Sequence, residues 1–177
     1  VRTSKQVTDA FTHFGKNNNS LELVDQLLNG EASEDTIPTG IAPFDEQSGG
    51  AMRGSLVTIG ATSGGGKSVM ALQIAINQAQ LGYKVILVPL EMSKVEMLGR
   101  MMANIVSLDV TRILQKRLTQ AERDMAARKF KKWLRKVKRA GGRLTVFKPR
   151  EDVSIEDVFS ATASFDADTV IVDYISL

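Results

Sequence analysis

The chain has 177 residues, of which 43% are apolar and 24% are charged, which is enough material for one domain with a substantial hydrophobic core. It contains no cysteine and one histidine, His13, which excludes disulfide scaffolds, thiol nucleophiles and zinc sites built from cysteine or several histidines. No apolar run approaches the ~18 residues of a membrane-spanning helix, and the first residues lack a signal peptide's apolar stretch, so we expect a cytoplasmic protein with no membrane partner.

The net charge of +3 conceals a basic block. Between Arg112 and Arg143, 13 residues are lysine or arginine and only two are acidic. Such a block can attract a polyanion, but it is also typical of the solvated face of an amphipathic helix. We adopt the solvated face as the interpretation from sequence.

Residues 1–36 differ in composition from the rest of the chain. A polar stretch, GKNNNS, precedes LELVDQLL, which predicts one short amphipathic helix ending at Gly30, and the acidic segment GEASEDT follows. Eight helical residues cannot bury an apolar face alone, so we expect this helix to dock on the domain or on a neighbouring copy. We therefore predict a linker with an embedded helix over residues 1–36.

Residues 37–177 alternate between short apolar runs and helical patterns. Strands are predicted over 55–60, 84–90, 143–147 and 169–177, and helices over 67–80 and from Ser93, Thr119 and Ser154. Trp133 falls on the apolar stripe of the third helix and is predicted to lie in the core. Near-continuous valine, isoleucine and leucine strands alternating with helices predict an α/β fold with a mainly parallel sheet flanked by helices.

A glycine-rich loop joins the first predicted strand to the first of these helices. Its eight residues are Ala61, Thr62, Ser63, Gly64, Gly65, Gly66, Lys67 and Ser68. Glycines allow backbone N–H groups to wrap phosphates at a helix N-terminus, the lysine reaches the β and γ phosphates, and the serine hydroxyl ligates Mg²⁺. The loop departs from G-x-x-x-x-G-K-[ST] only in that Ala61 replaces the first glycine. It predicts a nucleoside triphosphate site.

Two carboxylates lie at or just after predicted strands. Asp173 follows Val170-Ile171-Val172 and could hold the metal shell of such a site, either directly or through water. Glu91 ends KVILVPL, where a carboxylate could orient or deprotonate water for hydrolysis. The pattern alone does not decide between a catalytic and a solvated Glu91.

These motifs together resemble the C-terminal motor domain of DnaB-type replicative helicases. The resemblance runs from about residue 37 to the end and rests on IPTG, FD, GG and RG before the loop, the loop itself, and LEMS, RLT and VIVDY after it. It implies a RecA-like P-loop NTPase core that uses ATP and Mg²⁺. It also implies that Lys67 and Glu91 are catalytic, that residues 61–68 bind the nucleotide, and that Ser68 and Asp173 serve the metal.

The resemblance implies partners as well: single-stranded DNA, five further copies in a ring hexamer, and a primase or helicase loader. The family's sensor residue, DNA-gripping loops and arginine finger would lie beyond Leu177. We therefore expect residues 37–177 to be the N-terminal part of the motor domain and incomplete for catalysis alone. Two alternatives remain open from the sequence: a RecA-like recombinase or clock-type ATPase, and a non-catalytic nucleotide-binding module.

Overall fold

The computed structural model of the chain describes residues 25, 28–29, 36–62, 64–149 and 154–173. The chain divides into two units, Val1–Asp35 and Thr36–Leu177. Most of the predicted leader helix lies outside the described residues, as do Ser63 of the glycine-rich loop and residues 174–177 of the last predicted strand. The architecture below is that of the second unit.

Short strands alternate with helices along the described part of this unit. The strands are β1 (Thr36–Ile37), β2 (Ala51–Met52), β3 (Lys84–Pro89), β4 (Arg143–Val146) and β5 (Thr169–Asp173). The helices are α1 (Ala42–Ser48), α2 (Lys67–Leu81), α3 (Lys94–Val106), α4 (Val110–Leu114), α5 (Gln120–Ala140) and α6 (Ile155–Ala163). No helix among the described residues is long and apolar enough to cross a membrane.

The principal sheet is parallel. Its strand order is β4-β3-β5, and Leu87 of β3 pairs with Val146 of β4 and with Ile171 of β5. A separate antiparallel pair joins β1 to β2. The predicted α/β fold with a mainly parallel sheet is thereby confirmed.

Helices cover both faces of this sheet, and the side chains of β3 alternate between the two faces. Leu87 packs with Leu72, Met97 and Trp133, which α2, α3 and α5 contribute to the larger core cluster. Ile86 and Val88 point to the other face and pack with Val158 of α6. Trp133 is only 8% exposed, which confirms its predicted place in the core.

The capping interactions that the sequence predicts at the starts of α3 and α5 are present in the structure. The hydroxyl of Ser93 accepts a hydrogen bond from the backbone N–H of Glu96 at the start of α3. Thr119 and Glu122 form a reciprocal capping box at the start of α5. Gly82 ends α2 with a φ of 105°, and a Cβ there would lie 2.5 Å from the carbonyl oxygen of Ala140, so this position requires glycine.

The predicted buried strand over residues 55–60 is wrong. This segment has no strand pairing in the described part of the chain, and Leu56 is 92% exposed. A buried parallel strand requires hydrogen-bonded neighbours at its edges and helices over its faces, and composition alone supplies neither. Residues on either side of the segment contact the two ends of β5: Arg53 pairs with Asp168 just before the strand, and Ser68 bonds Asp173 at its end.

Candidate nucleotide-binding site

The glycine-rich loop turns sharply before α2. Gly64 and Gly66 have φ angles of 73° and 88°, in the left-handed region that glycine adopts without strain. At Gly65 an added Cβ would lie 2.9 Å from the Cβ of Ala61. The backbone N–H of Gly65 donates to the carbonyl oxygen of Thr62 at 3.0 Å. A side chain would therefore clash at Gly65 and would strain the backbone at Gly64 and Gly66.

The N-terminus of α2 is suited to an anion. The helix begins at Lys67, its cap residue Gly66 offers no side-chain acceptor, and its first turn contains no acidic residue. The first N–H groups of a helix lack intrahelical partners and lie at the positive end of the helix dipole. A phosphate at this position would receive hydrogen bonds that the helix itself does not use.

The ammonium of Lys67 lies over the same loop. Its Nζ donates to the carbonyl oxygen of Ala61 at 2.9 Å and to that of Thr62 at 3.4 Å. The lysine is thus folded back across the turn that the glycines shape. This position places one positive charge beside the N-terminus of α2.

Ser68 and Asp173 meet although 105 positions separate them in the chain. The Ser68 hydroxyl donates to Oδ1 of Asp173 at 2.9 Å. Asp173 is 3% exposed, and its Oδ2 has no hydrogen-bond partner among the described residues. An unpartnered buried carboxylate oxygen is costly, so the arrangement favours an additional ligand at Oδ2.

These two side chains fit Mg²⁺. The ion prefers oxygen donors and usually keeps several waters while binding one or two carboxylates and substrate phosphates. The described residues contain no cluster of three or more histidine or acidic side chains that could enclose a metal alone. A shared site of Ser68, Asp173, water and phosphate oxygens is therefore the metal chemistry that this end of the sheet allows.

Glu91 lies at the same edge of the sheet. The backbone N–H of Leu90 donates to the carbonyl oxygen of Asp173 at 2.7 Å, which extends the pairing of β3 with β5 by one residue. Glu91 follows directly and is exposed. The structure thus gathers the loop, Asp173 and Glu91 at the carboxyl end of the parallel strands, where open α/β sheets bind ligands.

Asp168, which no sequence motif marks, positions the segment leading into the loop. Its carboxylate accepts hydrogen bonds from the Lys84 backbone N–H at 2.7 Å and from the Arg53 guanidinium at 3.0 Å. Burial acts to raise the pKa of Asp168, but these two donors outweigh it and lower the pKa below its ordinary value. An aspartate before a strand has no sequence signal for this role.

Asp45, the aspartate of the FD motif, fixes the turn that precedes α1. Its carboxylate accepts hydrogen bonds from the N–H and hydroxyl of Thr39 and from the N–H of Gly40. Burial opposes ionisation, yet these bonds prevail and the pKa of Asp45 is lowered. Asn77 of α2 donates to the carbonyls of Thr39 and Gly40, so this turn is fixed to the helix that carries Lys67.

The parallel sheet, its covering helices and the glycine-rich loop before α2 together define a RecA-like α/β core. The model of the family described as DnaB-like helicase C terminal domain matches residues 36–177. This chain belongs to that family. No curated protein sequence matches the chain.

Two solved structures show the same fold. The chain is similar to the "ATPase Domain of G40P", with 23% identity and a TM-score of 0.67 over 92% of this chain and 58% of that one. It is also similar to a DnaB-like replicative helicase, with 21% identity and a TM-score of 0.66 over 95% of this chain and 41% of that one; that structure's title describes interactions with primase. The chain therefore spans about half the length of the structures that it matches.

Proposed function

We propose that the chain is part of the motor domain of a replicative DNA helicase, which hydrolyses ATP to move along single-stranded DNA. The observation that carries this proposal is the 2.9 Å hydrogen bond from Ser68 to Asp173. It joins the end of the glycine-rich loop to the end of β5, as a site for a metal-bound triphosphate requires. Membership of the DnaB-like helicase family supports the choice of a DNA motor.

Each site residue has a role in this proposal. The N–H groups of residues 61–68 and the Lys67 ammonium hold the phosphates. Ser68 and Asp173 hold Mg²⁺, with Asp173 acting directly or through water. Mg²⁺ held by these residues would supply neutralisation of phosphate charge, and Glu91 would orient the attacking water or take its proton.

The proposed partners follow from the family and from one structural neighbour. We propose single-stranded DNA as the track and a ring of six copies as the working assembly. A primase is a further proposed partner, because the similar helicase structure describes interactions with one, and a helicase loader is another. A motor for bacterial or phage DNA would work in the cytoplasm.

The direct test is ATP hydrolysis by the complete protein that contains this domain. We expect turnover to require Mg²⁺, to rise at least about tenfold with single-stranded DNA, and to drive displacement of a strand from a forked duplex. Phosphate release and strand separation are measured on the same preparation. Turnover without strand separation, together with nucleotide-dependent assembly, would instead support the recombinase or clock-type alternative. Nucleotide binding without turnover would support the non-catalytic module.

Ser68→Ala tests the proposed metal site separately from the phosphate contacts. The variant removes one oxygen ligand of Mg²⁺, so we expect the Mg²⁺ concentration at half-maximal turnover to rise about tenfold, while ATP affinity measured in EDTA stays the same. Ser55→Ala is the matched control, because its hydroxyl bonds the Met52 carbonyl before the loop. An unchanged Mg²⁺ requirement in Ser68→Ala would show that the hydroxyl does not serve the metal.

A further inference from the structure

A second concave surface lies away from the nucleotide loop. It is a groove of about 740 Å³ between α2, α3 and α5. Ile76, Ile105 and Trp133 supply its apolar lining. The residues that α2 contributes are Gln73, Ile76 and Gln80, which a period of 3.6 residues places on the side of the helix away from Lys67.

Positive charge dominates the rim of this groove. No acidic residue lines the groove. Five exposed cations of α5 line it: Lys129, Lys132, Arg135, Lys136 and Arg139. None of the five forms an ion pair within the described ranges. Like charges three and four positions apart on a helix repel one another, so an anion bound along this stripe would relieve the repulsion.

The apolar floor of the groove contains a buried donor. Trp133 is more than nine-tenths buried, and its indole Nε1–H has no hydrogen-bond partner in the part of the chain that the structure describes. A buried donor without an acceptor costs about 1–3 kcal/mol. The groove therefore combines a cationic rim with an apolar floor in which the indole N–H is buried.

We propose that this groove, here called the α5 groove, binds the sugar-phosphate backbone of a single-stranded nucleic acid. Every nucleotide supplies a negative charge and acceptor oxygens whatever its base, which matches a rim of cations without acids. Single strands also expose sugar and base surface that the half-buried Ile105 can contact, whereas a duplex buries its bases. An acidic protein would bind the same stripe only if its carboxylates were spaced to match the five cations.

The α5 groove is separate from the ATP site and does not need it. Its lining contains no residue of the glycine-rich loop, and neither Asp173 nor Glu91 belongs to it. Nucleic acid should consequently bind in the absence of nucleotide.

Paired charge reversals on one helix test the groove. We expect Lys132→Glu with Lys136→Glu to weaken binding of a labelled single strand of about 20 nucleotides by at least about tenfold, measured by fluorescence anisotropy without ATP. Lys131→Glu with Lys138→Glu is the matched control, because these exposed lysines lie on α5 outside the groove and the change in charge is identical. The control should stay within about threefold of wild type, since only long-range electrostatics changes.

The salt dependence gives a second readout. Each lost phosphate contact on a single strand reduces the slope of log K against log salt by about 0.7, so the groove pair should lower it by about 1.4 and the control pair by much less. If circular dichroism shows that the variant with both glutamates does not fold, the salt slope is measured on Lys132→Gln with Lys136→Gln. This pair changes the charge by half as much.

Three results would overturn the proposal. The first is equal weakening by both pairs, which would mean that net charge alone attracts the strand. The second is absence of wild-type binding at about 50 mM salt, where a phosphate-contacting surface should be strong. The third is displacement of the strand by a glutamate-rich peptide at lower concentration than by unlabelled oligonucleotide, which would identify an acidic protein as the occupant.

Discussion

Replacing Lys67 with alanine is expected to weaken ATP binding by at least about 100-fold, because the variant removes charge-assisted hydrogen bonds to the phosphates. In the structure the ammonium lies 2.9 Å from the carbonyl oxygen of Ala61, over the turn that would hold the triphosphate. The N-terminus of α2 can still donate N–H groups, so residual weak binding is consistent with the proposal. Equilibrium titration with a fluorescent ATP analogue measures the change.

The control for this variant must separate charge from folding. Lys131→Ala removes an equivalent exposed lysine from α5 and should leave ATP affinity within about twofold of wild type. Thermal unfolding of Lys67→Ala should stay close to wild type, because its ammonium donates to two carbonyls of an exposed loop and not to the core. ATP affinity equal to that of wild type would remove the loop from the nucleotide site.

The glycine-rich loop could be predicted because its geometry is local. A run of three glycines followed by Lys67 and an apolar helical pattern determines both the turn and the helix N-terminus within a few residues. The approach of Asp173 to Ser68 could also be anticipated, since the carboxyl ends of parallel strands gather at one edge. What this approach does chemically stays a prediction until the variants are measured.

Features that depend on distant partners could not be read from the sequence. Residues 55–60 have the composition of a buried strand, but composition does not specify which strand pairs with them. Asp168 acts through Arg53, 115 positions away, and nothing near it marks that pairing. The solvated-face interpretation suits exposed Lys131 and Lys138, whereas the neighbouring stripe with Lys132 and Lys136 lines a groove that only the packing of three helices creates.

Glu91→Gln should have a different effect from Lys67→Ala. We expect ATP affinity within about threefold of wild type and turnover at least about 100-fold lower, because a carboxamide cannot accept a proton from water. The position of Glu91 supports this expectation, since Leu90 pairs with Asp173 and the next residue lies at the same edge as the loop. The Gln side chain has nearly the same shape, so phosphate contacts should be retained.

Glu96→Gln is the matched control for Glu91, since it makes the same substitution five positions later on α3, where Glu96 pairs with Arg100 at 2.9 Å. Its turnover should stay within about twofold of wild type, because an exposed helical ion pair contributes little. Single-turnover hydrolysis and ATP binding are measured for both variants. Equal loss of ATP affinity and turnover in Glu91→Gln would mean that Glu91 has a structural role. Wild-type turnover would mean that another group is the base. Only a loss confined to turnover identifies Glu91 as the residue that activates water.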